Sequence, residues 1–397
     1  MTDVSLTPTL GGAAYVDPAS FALENERIFA RSWIAVGLAT ELPGRGDFIT
    51  TRLAGEPIVA VRGDDGAIRA FYNMCRHRGS TVCQGPSGST GTYLRCPYHA
   101  WSYDLTGALA SAPHLRTMPA LDRSLNGLVP VSTETWQGLV WCNLDPDPAP
   151  LADTVGTQVT QRLQGTVLDR WGMPELALGA RCTYDVAANW KLLIENFLEC
   201  YHCTTIHPEL TRTLPSFRSG LGTQTNAEGW AGFAATIDGF SLSGEERFGR
   251  LSGLGDDEER RYRGITLHPG TLINLLPDHV VVHRFRPVAV DRTAVTCDWL
   301  FAADAVADPT FDPADTVALF DAVNRQDFEA CERCQDNMGS RGFSQGGVLV
   351  PAEDKIADFH RWVRAILEPA EPEPEPVAVP EPEPVAVAVR TGSPAAP

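Results

Sequence analysis

Between residues 40 and 150 apolar and polar side chains alternate with a period of two, in short runs. DFITTRL, PIVAVRG, AIRAFYN and LVWCNL are such runs, and turn dipeptides such as Asp65-Gly66 and Thr106-Gly107 punctuate the stretch. This texture predicts a small all-β unit. On its amino-terminal side, DPASFALENERIFARSW (residues 17–33) opens on an Asp-Pro signal and reads as a helix, with Phe21, Leu23, Ile28 and Phe29 as its apolar residues. From 151 to 367 helical and strand patterns mix. The segments 279-HVVVHRFRP-287 and 293-TAVTCDWLF-301 predict strands, and residues 315–338 predict one long helix. Four regions result, 1–39, 40–150, 151–367 and 368–397, and the expected class is α+β.

Composition narrows the possibilities. A chain of 397 residues with 43% hydrophobic content can bury one large core or two ordinary ones. The formal net charge of −18 argues against nucleic-acid binding, because phosphate affinity comes from clustered lysine and arginine. No apolar run is long enough to span a membrane, and MTDVSLTPTL lacks the pattern of a secretory signal, so a cytoplasmic location is expected. In such a protein the ten cysteines are expected at metals or in cores rather than in disulfides. The segment 368–397 alternates Glu with Pro and then Val with Ala, which predicts a disordered, extended tail.

The most specific signal lies inside the β-patterned region, in 75-CRHRGSTVCQGPSGSTGTYLRCPYHAW-101. Cys75-x-His77 and Cys96-x-x-His99 each place a thiolate and an imidazole on one tight loop. Four such ligands admit a tetrahedral zinc site, or a Rieske [2Fe–2S] centre with both cysteines on one iron and both histidines on the other. The single-residue gap in Cys-x-His, with no finger helix to follow, favours the cluster. Cys83 reads as an ordinary buried cysteine.

A second constellation is 195-ENFLECYHCTTIHPEL-210. On a regular helix Glu195, Glu199 and His202 fall on one face, partly covered by Ile194 and Tyr201, and a covered acid beside histidine suggests a metal. The CRHRG opening, the CPYHAWSYDLTGAL close and the NWK, ENFLECYHC and HPEL segments together resemble the oxygenase (alpha) subunits of Rieske non-haem iron oxygenases, over residues 15 to 367. That resemblance implies an all-β Rieske domain inserted in a catalytic domain whose antiparallel sheet is flanked by helices, with the amino-terminal helix packing on the catalytic part. It also implies a mononuclear Fe(II) held by two histidines and a carboxylate with positions left open for O₂. The family spacing maps onto His202 and His207. Five residues of regular helix would leave these two about 140° apart, so irregular helix, or a helix end at His207 before Pro208, is expected.

The third ligand has to come from elsewhere. In the 315–338 helix the apolar stripe runs Phe320, Val323, position 327, Cys331, Cys334 and Met338, and position 327 is an aspartate. A carboxylate there has to meet a cation, and the family's aspartate sits in a similar context, so Asp327 is assigned as ligand. Asp321, Glu329, Glu332 and Asp336 fall off the stripe and are expected in solvent. The pairs Cys200-x-x-Cys203 and Cys331-x-x-Cys334 are read as core filling.

By the same resemblance the protein is a homotrimer in which Glu199 links the partner subunit's His99 to His202 or His207, and its electrons come from a separate NAD(P)H-dependent flavin/iron–sulfur reductase. Most ring-hydroxylating members carry Asp at the position of Glu199. Glu there, together with 274-NLLPDHVVVHRFRP-287 and 340-SRGFSQGGVLVPAED-354, looks like the branch acting on quaternary ammonium compounds. The expected reaction is therefore N-methyl hydroxylation with loss of formaldehyde. Two rivals stay open: an aromatic-ring-hydroxylating or O-demethylating oxygenase, and a Rieske electron carrier without oxygenase activity. Aromatic faces suit a trimethylammonium group, and Trp190, Phe197, Tyr201, Trp230, Phe233 and Phe240 lie near the iron motif. Arg284 or His283 is a candidate for a substrate carboxylate, and Glu195 is expected to pair with a nearby base.

Overall fold

Each of the four β runs named above folds as a strand, at Asp47–Leu53, Glu56–Arg62, Ile68–Tyr72 and Leu139–Asn143. The computed structural model describes residues 6–118, 121–163, 166–219, 233–237, 239–258 and 260–368, and the predicted 368–397 tail lies outside them from residue 369 onward. Two-residue turns set the register of two hairpins. Ala54 and Gly55 join Leu53 to Glu56, and Gln137 and Gly138 join Trp136 to Leu139, all four with positive φ. That backbone matches the twist of paired antiparallel strands.

These strands belong to a seven-stranded sheet. Its order is Ile34–Leu38, Leu139–Asn143, Pro130–Trp136, Ile68–Tyr72, Glu56–Arg62, Asp47–Leu53 and Ser87–Ser89. A small three-stranded sheet, Leu94–Arg95, Ser102–Tyr103 and Leu109–Ser111, sits beside it. Val59, Val61 and Phe71 of the larger sheet share one core with Leu94, Tyr103 and Leu109 of the smaller, so the two Cys/His loops hang from a rigid layer.

The remainder is built on a six-stranded sheet, ordered Leu176–Val186, Arg292–Ala302, His279–Ala289, Thr271–Leu275, Arg261–Leu267 and Phe233–Thr236, with every neighbouring pair antiparallel. The sequence strands at 279–287 and 293–301 form its long central hairpin. The predicted long helix runs Ala314–Met338, and its buried positions include Phe320, Val323, Asn324, Asp327, Phe328, Cys331 and Met338. Cys334 departs from the predicted stripe. It is exposed, and Gln335 is buried instead, donating to the Tyr15 carbonyl and accepting from the Asn189 N–H.

At the amino terminus, the side chain of Asp17 caps Pro18–Glu24 by accepting from Ala19 N at 3.0 Å, and the helix continues as a wider π turn, Asn25–Phe29. This segment packs on the helices around the six-stranded sheet. Phe29 lies edge-on to Trp190, which also meets Phe359 of the Asp354–Leu367 helix. Burying a ring such as Phe359 contributes roughly 1.5–3 kcal/mol. No helix among the described residues is long and apolar enough to cross a membrane.

Candidate metal centres and the adjoining cavity

The two Cys/His loops are built alike. Gly79 N donates to Cys75 O at 2.9 Å and Ala100 N to Cys96 O at 3.0 Å, each closing a tight turn on a residue of positive φ. Cys75 and Cys96 are buried, and the His77 and His99 rings lie 4.7 Å apart between centroids. Trp101 stacks on His77 at 5.0 Å, and the Tyr103 hydroxyl reaches Cys75 Sγ at 3.2 Å. Burial pushes both thiols up. At Cys96 the backbone N–H groups of Tyr98 and His99 outweigh burial and bring it below the ordinary value. His99 Nδ1 is buried without a hydrogen-bond partner. A buried lone pair beside two converging thiols and a second imidazole fits a two-iron cluster. The structure thus brings together all four residues predicted from the sequence.

The second centre forms where a helix breaks. Trp190–Phe197 starts at the Asn189 cap and ends at Leu198, earlier than the helical-face reading of Glu195, Glu199 and His202 assumed. Glu199 lies beyond that end and turns its carboxylate back onto the N–H groups of Tyr201 and His202 and onto His202 Nδ1. Glu195 remains in the helix and faces elsewhere, accepting from the Tyr15 hydroxyl at 2.8 Å and meeting His360 Nε2 at 2.9 Å. It is the structural partner of a base, as expected. A one-turn helix, Cys203–Ile206, separates the two histidines, and His207 (φ −116°, ψ 69°) leaves helical geometry just before Pro208. This break is what lets both rings face one point.

That point is the Asp327 carboxylate. His207 Nε2 lies 2.9 Å and His202 Nε2 3.3 Å from Asp327 Oδ1, an oxygen that is buried with no well-directed hydrogen bond of its own. The opposite nitrogens are engaged: His202 Nδ1 by Glu199, and His207 Nδ1 by Gln326 Oε1 at 2.8 Å. A ring that donates from Nδ1 leaves a lone pair on Nε2. Two lone pairs and a carboxylate oxygen then converge, an arrangement that a cation relieves and that suits a two-histidine, one-carboxylate metal site. Without a cation, a proton on His202 answers the two carboxylates: burial lowers its basicity, but Asp327 and Glu199 outweigh this and raise its pKa to about 10, and a bound cation would take that proton's place. Burial pushes Asp327 up, and the two imidazoles bring it net below the carboxylate range.

Cys203 Sγ lies within 4.8 Å of ligand atoms on both histidines, yet it is bonded to Cys200 in a disulfide. Both cysteines are buried in an apolar cluster, as the core-filling reading expects, and the bond corrects the expectation that cysteines here stay out of disulfides. The two cysteines have a Cα separation of 5.1 Å, within the range a disulfide spans.

A partly open cavity lies against this centre. It is bordered by His202, His207, Asp327 and Glu199 on one side and by Phe197, Phe217, Phe240, Tyr262 and Phe320 on the other. Among the described residues no lysine or arginine lines it. Of the aromatic residues named from the sequence, Phe197 and Phe240 line the cavity. Trp190 is in the core and Tyr201 is exposed; Trp230 and the side chain of Phe233 lie outside what the structure describes. Phe320 was legible, because it shares the helical stripe of Asp327. Phe217 and Tyr262 carry no local signal and arrive by tertiary packing. The carboxylate-receiving role considered for Arg284 and His283 is not supported. Arg284 is paired with Asp298 at 2.7 Å, and both nitrogens of the buried His283 have partners, Asn274 and Asn324.

Comparison with known proteins gives the family of the chain. Residues 32–124 match the Rieske [2Fe-2S] domain family, and residues 173–369 match the ring hydroxylating alpha subunit (catalytic domain) family. The chain is 31% identical over 378 residues to the glycine betaine monooxygenase oxygenase subunit of Chromohalobacter salexigens, covering 88% of this chain and 83% of that one. It is 32% identical over 375 residues to the carnitine monooxygenase oxygenase subunit of Escherichia coli K12, covering 91% and 94%. Among solved structures, the quaternary ammonium Rieske monooxygenase CntA in complex with substrate gamma-butyrobetaine superposes with a TM-score of 0.74 at 28% identity, over 91% of this chain and 96% of that chain.

Proposed function

Because the chain belongs to the Rieske ring-hydroxylating oxygenases as an oxygenase (alpha) subunit, we propose that it hydroxylates an N-methyl group of a quaternary ammonium compound resembling glycine betaine. The observation that carries this reading is the cavity lining, in which aromatic rings surround the space beside the His202–His207–Asp327 centre. A trimethylammonium group has no N–H to donate, so aromatic faces are its natural partners, each contributing roughly 0.5–2 kcal/mol.

In this reading Cys75, Cys96, His77 and His99 hold the [2Fe–2S] cluster, and His202, His207 and Asp327 hold the mononuclear Fe(II). When bound, these groups supply the electron relay and the O₂ activation that C–H hydroxylation requires. The chain's own residues do the positioning. Glu199 and Gln326 fix the His202 and His207 rings through their Nδ1 atoms, and the phenyl rings exclude water from the reacting methyl group. The net change is balanced: N–CH₃, O₂, two electrons and two protons give N–CH₂OH and water. The hemiaminal then loses formaldehyde, leaving a dimethylamino nitrogen and a proton.

An oxygenase subunit takes its electrons from a reductase, for which we propose an NAD(P)H-dependent flavin/iron–sulfur protein. We further propose a cytoplasmic homotrimer, with Glu199 joining the partner subunit's His99 to the iron-bound imidazoles. The test is reconstitution of the iron-loaded protein with a reductase, assaying glycine betaine, carnitine and a set of aromatic acids. Formaldehyde formed in step with O₂ uptake supports the proposal. Turnover of an aromatic acid, with no formaldehyde from any N-methyl cation, overturns it.

A further inference from the structure

Tyr262 borders the cavity from the Arg261–Leu267 strand, and Phe240 stacks on its ring at 5.4 Å. Its hydroxyl is not free to donate into that space, because it donates to Asn274 Oδ1 at 2.7 Å. The amide orientation this imposes directs Asn274 Nδ2 at His283 Nδ1, 3.2 Å away. His283 Nε2 then carries the proton and donates to Asn324 Oδ1 at 3.1 Å. Asn324 Nδ2 donates to the Tyr184 hydroxyl at 3.3 Å, and Tyr184 donates to Asp321 Oδ1 at 2.8 Å.

All five bonds run in the same sense, from the cavity wall across the sheet to the outer side of the Ala314–Met338 helix. The sense is fixed at the far end. A carboxylate can only accept, and Asp321 is held by Arg325 at 2.9 Å. Reversing any one link would set two donors or two acceptors face to face inside the core, at a cost of about 1–3 kcal/mol. Burial keeps His283 neutral, with its pKa lowered to about 4, and neutrality is what gives the ring one donor and one acceptor.

We propose that Tyr262 is a specificity-determining residue: its only proton is committed to Asn274, so its oxygen meets a ligand in the cavity purely as an acceptor. Asn274, His283, Asn324, Tyr184 and Asp321 are positioning residues that keep it so. Asn196 Oδ1, on the same cavity, is a second buried acceptor without a partner. Such a wall attracts the polarised C–H groups of an N-methyl cation and repels a carboxylate, carbonyl or phenolate oxygen. A substrate's own anionic end therefore points away from Tyr262. The inference rests on the cavity being the substrate site, and it concerns what the wall selects rather than what reaction follows.

The experiment measures binding of choline and of its neutral carbon isostere, 3,3-dimethylbutan-1-ol, to the iron-loaded protein by calorimetry. A C–H···O contact of this kind corresponds to roughly two- to fivefold in affinity. Tyr262→Phe is expected to weaken choline by about that factor while leaving the neutral isostere unchanged. Unaltered choline affinity in this variant overturns the proposal. If cluster absorbance reveals that Tyr262→Phe has not folded, Asn274→Leu replaces it, since freeing the hydroxyl proton must likewise weaken choline. Equal affinity of the unsubstituted protein for choline and its isostere also overturns it. Formaldehyde release is read separately: its absence with every N-methyl cation removes the proposed reaction and leaves the binding comparison intact.

Discussion

In the proposed reading, the mononuclear centre depends on Asp327. It is buried, its Oδ1 faces two imidazole nitrogens, and it stands on an otherwise apolar helical stripe. Asp327→Ala is expected to lower iron from about three to about two atoms per chain, leaving the cluster's visible spectrum in place and abolishing hydroxylation. Glu199 touches the same imidazole from behind and leaves the cavity-facing nitrogen alone. Glu199→Gln should therefore keep about three irons while reducing turnover by roughly 10- to 100-fold, the usual effect of losing the carboxylate behind a metal-bound histidine. Loss of iron in Glu199→Gln, or retention of all three in Asp327→Ala, contradicts this division of roles. Residue spacing made His202, His207 and Asp327 legible. Gln326 was not, because a glutamine one position before Asp327 has no signature until the helix is placed against His207.

At the scale of elements, the strand Leu176–Val186, the central hairpin and the Ala314–Met338 helix are tied together through polar groups buried among apolar ones. His283 is fully buried on the hairpin, and burial lowers its pKa from 6.5 to about 4. The unfolded chain takes up this proton first as pH falls, so stability is present above about pH 6.5 and declines towards pH 4, by up to about 3 kcal/mol for this group alone. Urea midpoints measured at pH 7 and pH 5 should differ by less in His283→Gln than in the unsubstituted protein. An equal difference in both shows that His283 does not set the dependence. The loop from Leu198 to His207 is a second lesson at this scale. Its helical periodicity was real up to Phe197, but the Glu199 side chain competes for backbone N–H groups and ends the helix.

At the scale of the whole molecule, the amino-terminal segment is joined to the Trp190–Phe197 helix by a buried ion pair. Lys191 Nζ contacts Glu24, and Trp190 Nε1 donates to the same carboxylate at 2.7 Å, with both charged groups almost fully excluded from water. Breaking the pair leaves an uncompensated buried charge, so Lys191→Met is expected to cost about 3–5 kcal/mol. Adding Glu24→Gln should restore part of this in denaturant titrations. A double variant less stable than the sum of the two single ones excludes the pairing as the cause.

The sequence by itself determined the family and most of the local elements. Cys75-x-His77, Cys96-x-x-His99 and the period-two runs are set by spacing along the chain, and spacing survives without a fold. Only the tertiary structure decided what lies across from what: Gln326 against His207, Phe217 and Tyr262 around the cavity, Cys200 bonded to Cys203, and Arg284 spent on Asp298 rather than on a ligand. Packing brings distant segments together through non-directional burial, which constrains how apolar a position must be and leaves its neighbour unspecified until the whole core closes.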